Sequence, residues 1–395
     1  MTTPTAFENK YGFGRSDVTL ENWRTEPYNR WSFQNAGELV PSAEIEVAEA
    51  APEAPAGDLE DLLAEKVTLE GKPETIAAFL NRSHTDAFLV MKGGKFVGEY
   101  NAPHMKPAGR HIIFSISKSL TAILAGVVQA DGLLDPSAPV TDYVPEAKGS
   151  AFGDATVQHV LDMTVALDFE ELYLDPESAF ARYRRAMLWN PARPDAQETL
   201  PAFLVSLPKL AGKEHGEIFR YRSPCSDFLG IIVERASGRR YTDLMSDRLW
   251  APLGAKLSGQ ITVDAVGTAR AAGGVSVSAR DLARVGEMMR CGGSFEGRRI
   301  LPESWVEDTT TGGNREAWRK GDFSFLLPNG SYRNKWYQTG YAGGAFCGIG
   351  IHGQWLYVDP ATETVLVKMS SQPFPVDDAL DKQALALFEA VSALV

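Results

Sequence analysis

The chain has 395 residues, 44% apolar and 23% charged, which is long enough for two domains and a large core. Its formal net charge of −12, with no basic stripe to offset it, excludes nucleic acid and anionic membrane surfaces as main partners. No run nears the roughly 18 apolar residues of a membrane span, and MTTPTAFENKYGFGRSD has no apolar signal core. Cys225, Cys291 and Cys347 are far apart and read as reduced thiols, so the expected compartment is the cytoplasm.

In chain order, residues 1–45 (NWRTEPYNRWSFQN at their centre) show no period and are expected as an irregular segment wrapped on the body. VAEAAPEAPAGD, Val47 to Asp58, reads as a linker-like loop. LEDLLAEKVTL and PETIAAFLNRS both have helical character, the second ending at Asn81. DAFLVMKGGKFVGEY reads as a β-hairpin turning on Lys92-Gly93-Gly94-Lys95, where the glycines supply positive φ. From Ser117 to about Gly132, Leu120, Ile123, Leu124, Val127 and Val128 recur at helical spacing. Between about 135 and 260 lie helical patches separated by proline-rich loops, clearest in ATVQHVLDM, SDFLGIIVERASG and YTDLMSDRLWAPLG. ARDLARVGEMMRCGG is another amphipathic helix, GIGIHGQWLYVD and ETVLVKMSS are strand-like, and a final helix covers about 378–393. The expected fold class is therefore α+β. A discontinuous sheet domain from 1–134 and 261–395 carries an inserted, mainly helical domain, 135–260, with a cleft between them.

Several chemistries are missing. There is no GxxxxGK[ST] loop, no GxGxxG after a strand and no GxSxG elbow. The six histidines never occur as HxxxH or HxH, so neither a metal nor a cofactor is expected. What remains is FSISKSL. If Ser115-Ile116-Ser117-Lys118 begins a helix, Ser115 and Lys118 share a face, and a desolvated lysine can take the proton of a serine hydroxyl. The bland alternative is an N-cap serine and a solvated lysine; a second match, Ser206-Leu207-Pro208-Lys209, reads as loop. Tyr221-Arg222-Ser223, just before a helix, can present a phenol and a hydroxyl to a cleft, or can be a buried tyrosine with one hydrogen bond. Gly348-Ile349-Gly350-Ile351-His352-Gly353 reads as an edge strand whose glycines permit close approach, or as a tightly packed strand without a site.

SxxK, then Tyr-x-Ser about a hundred residues later, then a glycine-rich strand near the C-terminus is an ordered set. With TLENWRTEPYNRWSFQNAGELVPSA, PVTDYVPE, LDMTVALDFEELYLDP and GGVSVSARDLARVGEMM, it resembles the 6-aminohexanoate-dimer hydrolase group of the serine β-lactamase and penicillin-binding-protein superfamily. The resemblance spans nearly the whole chain. It implies an antiparallel sheet flanked by helices plus an all-helical domain. It implies Ser115 as nucleophile, Lys118 as its activator, Tyr221 as proton relay, and the N–H groups of Ser115 and Ile351 as oxyanion donors. Tyr173, Ser223, Ala272, Trp336, Tyr337 and Gly350 become expected substrate contacts. Ala272 stands where relatives carry a polar side chain, and Val376 where a carboxylate can stand, with Asp377 and Asp378 adjacent. Gly348-Ile349-Gly350 aligns with the Lys-Thr-Gly of β-lactamases and lacks its cation and hydroxyl.

The expected activity is hydrolysis of short-chain carboxylic esters or small linear amides. The alternatives are 6-aminohexanoate-dimer hydrolysis and a non-catalytic or β-lactam-interacting protein of the same fold. The expected partner is a small-molecule ester or amide, with no nucleic acid and no membrane. A homodimer is the assembly to test.

Overall fold

The computed structural model describes residues 4–47, 56–106, 109–173, 175–193 and 198–395. Most of the linker-like stretch, 48–55, lies outside them. The fold is built on a seven-stranded sheet in the order Ser331–Arg333, Trp336–Gln338, Phe346–Gly350, Gln354–Asp359, Thr364–Ser370, Thr85–Lys92, Lys95–Asn101. All its pairings are antiparallel. The central strand Gln354–Asp359 is buried on both faces, and its period of two sorts two helices. Leu356 and Val358 point toward Gly286 of the helix Ala279–Arg290. Trp355 and Tyr357 pack on Phe388 of the terminal helix Asp378–Leu394, with ring centroids 5.5 and 5.4 Å away.

A second, four-stranded sheet joins Ser42–Ile45, Gly259–Thr262, Val275–Val277 and His111–Ile112 in that order. It matters because two of its strands lead directly into the site: His111–Ile112 into Ser115, and the loop through Ala272 into Val275. Ile113 N–H donates to Val275 O at 2.9 Å and locks the two approaches together. Between the helix Ile116–Ala130 and the strand Gly259–Thr262 the described chain holds short helices, one long helix, Ser223–Ser237, and only isolated bridges. That long helix packs on Ile116–Ala130.

Two local expectations need correction. LEDLLAEKVTL is helical only over Glu60–Ala64; Lys66–Leu69 then pairs with Lys72–Thr75. Glu70 (φ 49°) and Gly71 (φ 79°) make the tight turn, and Val67 and Leu69 alternate inward as a strand requires. GIGIHGQWLYVD is a hairpin, not one strand, and it is not at the sheet edge. Its first arm, Phe346–Gly350, pairs on both sides at Phe346 and Cys347, but its last three residues, Gly348, Ile349 and Gly350, pair only with Gln354–Asp359. Ile351 lies in the turn, beside His352 (φ 61°) and Gly353 (φ 82°). No described helix is long and apolar enough to cross a membrane.

Candidate active site

Ser115 occupies the N-cap of the helix Ile116–Ala130, half-buried, where the chain leaves a residue of unusual backbone. Phe114 before it has φ 43°, a region bulky side chains avoid. The ring is fixed by Phe33 at 4.9 Å, His352 at 5.4 Å and Trp189 at 6.0 Å. One helical turn on, Lys118 Nζ donates to Ser115 Oγ at 2.8 Å and to Ala272 O at 2.6 Å. The i, i+3 spacing thus brings hydroxyl and amine together as a helix face should. Burial pushes the Lys118 ammonium down to about 7, with the Glu171 carboxylate acting against the fall. An amine poised there is a competent base near neutral pH.

Ala272 is held from behind. Its N–H donates to Asp227 Oδ1 at 2.7 Å. The other oxygen, Asp227 Oδ2, accepts from Tyr183 and Arg270 in a fully buried cluster. The carboxylate therefore fixes the backbone whose carbonyl fixes Lys118. Ala272 contributes its backbone to the site and only a methyl to the cavity wall.

Tyr221 lies on the far side of Lys118, whose Nζ sits 4.9 Å from the ring centroid. Burial raises the phenol well above its ordinary range, as does nearby Glu171, while a hydrogen bond with Ser115 works the other way. The phenol stays protonated and can give its proton only as another arrives. Its backbone N–H donates to Asp322 Oδ2 at 2.8 Å, and Arg222 grips the same oxygen. Ser223 opens the helix Ser223–Ser237, and its N–H donates to Glu171. Glu171 also accepts from Tyr173 Oη at 2.8 Å, so Tyr173 and Ser223 are joined through one carboxylate at the cleft.

Gly348 and Gly350 explain the glycine-rich strand. A Cβ on Gly348 would lie 3.1 Å from Ser119 Oγ, and one on Gly350 only 2.6 Å from Ile113 O. The strand end can therefore rest directly on the turn that carries Ser115. Among the described residues the N–H groups of Ser115 and Ile351 have no acceptor in the protein. Both residues line one narrow cavity of about 20 Å³. The turn is anchored by His352, whose N–H donates to Pro375 O at 2.9 Å and whose Nδ1 meets Gln372 O at 2.7 Å. Burial holds the His352 imidazole neutral, down to about 3.

A wider cleft of about 210 Å³ opens beside the narrow cavity, with Tyr173, Tyr221, Tyr337, Gly350 and Ile351 in its wall. Of the expected contacts, Trp336 is placed elsewhere. Strand alternation turns it to the opposite face, where it is buried against Phe346 at 5.4 Å. Val376 does expose an isopropyl group to the cleft. Asp377 caps the terminal helix through the N–H groups of Ala379 and Leu380. The carboxylate of this segment that reaches the cleft is instead Asp381, one turn further along, which burial raises to about 7. It sits four residues after the cap, which was the available signal. Asp227, Arg270, Glu171, Arg24 and Arg184 were also missed; nothing in local spacing connects them to Ser115.

The Beta-lactamase family profile matches residues 74–390. The 6-aminohexanoate-dimer hydrolase of Paenarthrobacter ureafaciens is 41% identical over 365 residues, 92% of this chain and 91% of that protein. A solved Bacillus anthracis structure, assigned provisionally as a 6-aminohexanoate-dimer hydrolase, superposes with a TM-score of 0.86 at 24% identity, covering 96% of this chain and 98% of its own. A class C beta-lactamase superposes at 0.58 and 17% identity, covering 81% and 94%. These two structures speak to the fold alone.

Proposed function

Because the chain belongs to the Beta-lactamase family of serine hydrolases, within its 6-aminohexanoate-dimer hydrolase group, we propose that it cleaves short-chain carboxylic esters and small linear amides through an acyl-enzyme on Ser115. Lys118, neutral above about 7, takes the Ser115 proton as Oγ attacks the carbonyl. The N–H groups of Ser115 and Ile351 receive the oxyanion. The proton moves from Lys118 by way of Tyr221 to the leaving oxygen or nitrogen, and the C–O or C–N bond breaks. Water then attacks the acyl-enzyme by the reverse route and frees the acid. The observation that carries this reading is the Lys118 amine, buried, 2.8 Å from Ser115 Oγ and fastened to Ala272 O.

The test is hydrolysis of p-nitrophenyl butyrate by the wild type and Ser115→Ala. Loss of turnover in the variant is expected, and equal rates would end the proposal. Labelling of wild type but not Ser115→Ala by a fluorophosphonate probe separates an enzyme from a non-catalytic protein of this fold.

A second reading is hydrolysis of the linear 6-aminohexanoate dimer, favoured by the relative that shares 41% identity. Ala272 and Val376 present only apolar side chains to the cavity and cleft, which favours the ester first. Turnover of the dimer faster than of the butyrate ester would reverse that order. Gly348-Ile349-Gly350 offers no cation for a β-lactam carboxylate, so slow or no penicillin hydrolysis is expected.

A further inference from the structure

The two oxyanion donors stand on segments far apart in the chain, Ser115 at a helix start and Ile351 in a hairpin turn. One carboxylate outside the cleft holds both segments. Asp86 lies on the strand Thr85–Lys92 and is 1% exposed. It lines neither the narrow cavity nor the wide cleft.

On one side, Asp86 Oδ2 meets Nε2 of the wholly buried His111 at 3.0 Å. His111 sits four residues before Ser115, on a strand of the second sheet. On the other side, Asp86 Oδ1 accepts from Ser371 Oγ at 2.9 Å and meets His104 Nε2 at 2.6 Å. Ser371 leads into Gln372, whose carbonyl meets His352 Nδ1 at 2.7 Å and whose N–H donates to His352 O at 3.4 Å. His352 directly follows Ile351. Asn29 Nδ2 braces the same corner, donating to Ser371 O at 2.9 Å and Gln372 O at 3.2 Å.

This anchor is directional. Both His111 nitrogens face oxygens, since Nδ1 meets Ile112 O at 2.8 Å. Donation from both pins the ring at two points and makes its contact with Asp86 charge-assisted. Burial raises the Asp86 carboxyl, but hydrogen bonds from His104 and His111 outweigh it and leave the group below its ordinary value. An ionised carboxylate thus grips the approach to Ser115 with one oxygen and the support of the Ile351 turn with the other.

We propose that Asp86 is a positioning residue for the hydrolysis, fixing the spacing of the Ser115 and Ile351 N–H donors by holding His111 and Ser371 to one carboxylate. The proposal deepens the serine-hydrolase reading and rests on it. Asp86 touches neither the cleft nor Lys118, so its loss should weaken the transition state and spare ground-state binding.

The test uses p-nitrophenyl butyrate and variants whose melting curves show that they fold. Asp86→Asn is expected to lower kcat about tenfold or more while KM stays within about twofold. Its acid limb should stay near the wild-type value of about 7, which belongs to Lys118. Phenylboronic acid accepts the Ser115 oxygen as a fourth bond to boron, and the adduct sets an oxygen between the two donors. Its inhibition should weaken about tenfold in Asp86→Asn. Ser371→Ala and His111→Gln each cut one arm of the fork. Each should lower kcat about tenfold, and the double variant should fall no further than Asp86→Asn.

An unchanged kcat or unchanged boronate inhibition in Asp86→Asn overturns the proposal, as does a double variant whose losses simply multiply. If Asp86→Asn does not fold, Ser371→Ala carries the same kcat, KM and boronate test. Wild-type rates in Ser115→Ala would instead strike the serine-hydrolase reading. Loss of turnover there with kcat intact in Asp86→Asn would strike Asp86 alone.

Discussion

Two buried lysines in this molecule each donate to a serine hydroxyl: Lys118 to Ser115, and Lys368 to Ser370. Burial pushes both amines down to about 7. By charge state and hydrogen bonding the pairs are near twins, and only one has the surroundings of a nucleophile. Ser370 is wholly buried in the sheet; its N–H donates to Gln354 Oε1 at 3.1 Å and its carbonyl accepts from Gln354 Nε2 at 2.6 Å. Ser115 lies half-buried in a cavity wall with a free N–H beside it and another on Ile351. The difference teaches that a depressed amine beside a hydroxyl is common physics. Access and unspent backbone donors are what make it chemistry.

Four changes would break or sharpen that contrast. Lys118→Arg keeps a cation but cannot become a neutral base, so kcat should fall by about 10²–10⁴, measured on a p-nitrophenyl ester. Retained activity would mean that the amine is only a tether. Gly350→Ala pushes a methyl to 2.6 Å from Ile113 O and should part the strand end from the Ser115 turn. A loss of roughly 10²-fold in kcat is expected, with the Ser115–Lys118 pair intact.

The pH profile follows from Lys118. Its folded value is lowered, so the inactive protonated form prevails below about 7 and the active neutral form above. Thus kcat/KM should drop about tenfold per unit below that point and level off above it. A profile flat down to pH 5 would dismiss Lys118 as the base. The smallest change is Ser370→Ala, which removes an acceptor from Lys368. About 1 kcal/mol of stability should go, seen in denaturant melts, with esterase rates unchanged. A large loss of activity would erase the distinction between the pairs.

How much of this was legible beforehand follows the range of the interactions. Ser115 and Lys118 are three residues apart on one helix, so spacing alone placed them together. The sheet was legible where two apolar runs flank a glycine turn, as in the hairpin around Gly93-Gly94. Trp336 was misplaced because a strand of three residues, Trp336–Gln338, gives no long alternation from which to read its inward face. Asp227 was invisible because it acts across 45 residues on Ala272 N–H and across 43 on Arg270. Arg24 and Arg184 meet at one cavity only after the N-terminal segment has folded over the body.

Phe114 and His352, both with positive φ, each adjoin one free N–H donor. Their rings touch each other and share Phe33. The spacing of the two donors is therefore gauged by the thickness of an aromatic stack, as a calliper is set by the block between its jaws. Phe33 belongs to a segment far from Ser115 in sequence, and a chain trimmed of that segment would keep its serine, lysine and tyrosine while losing the gauge.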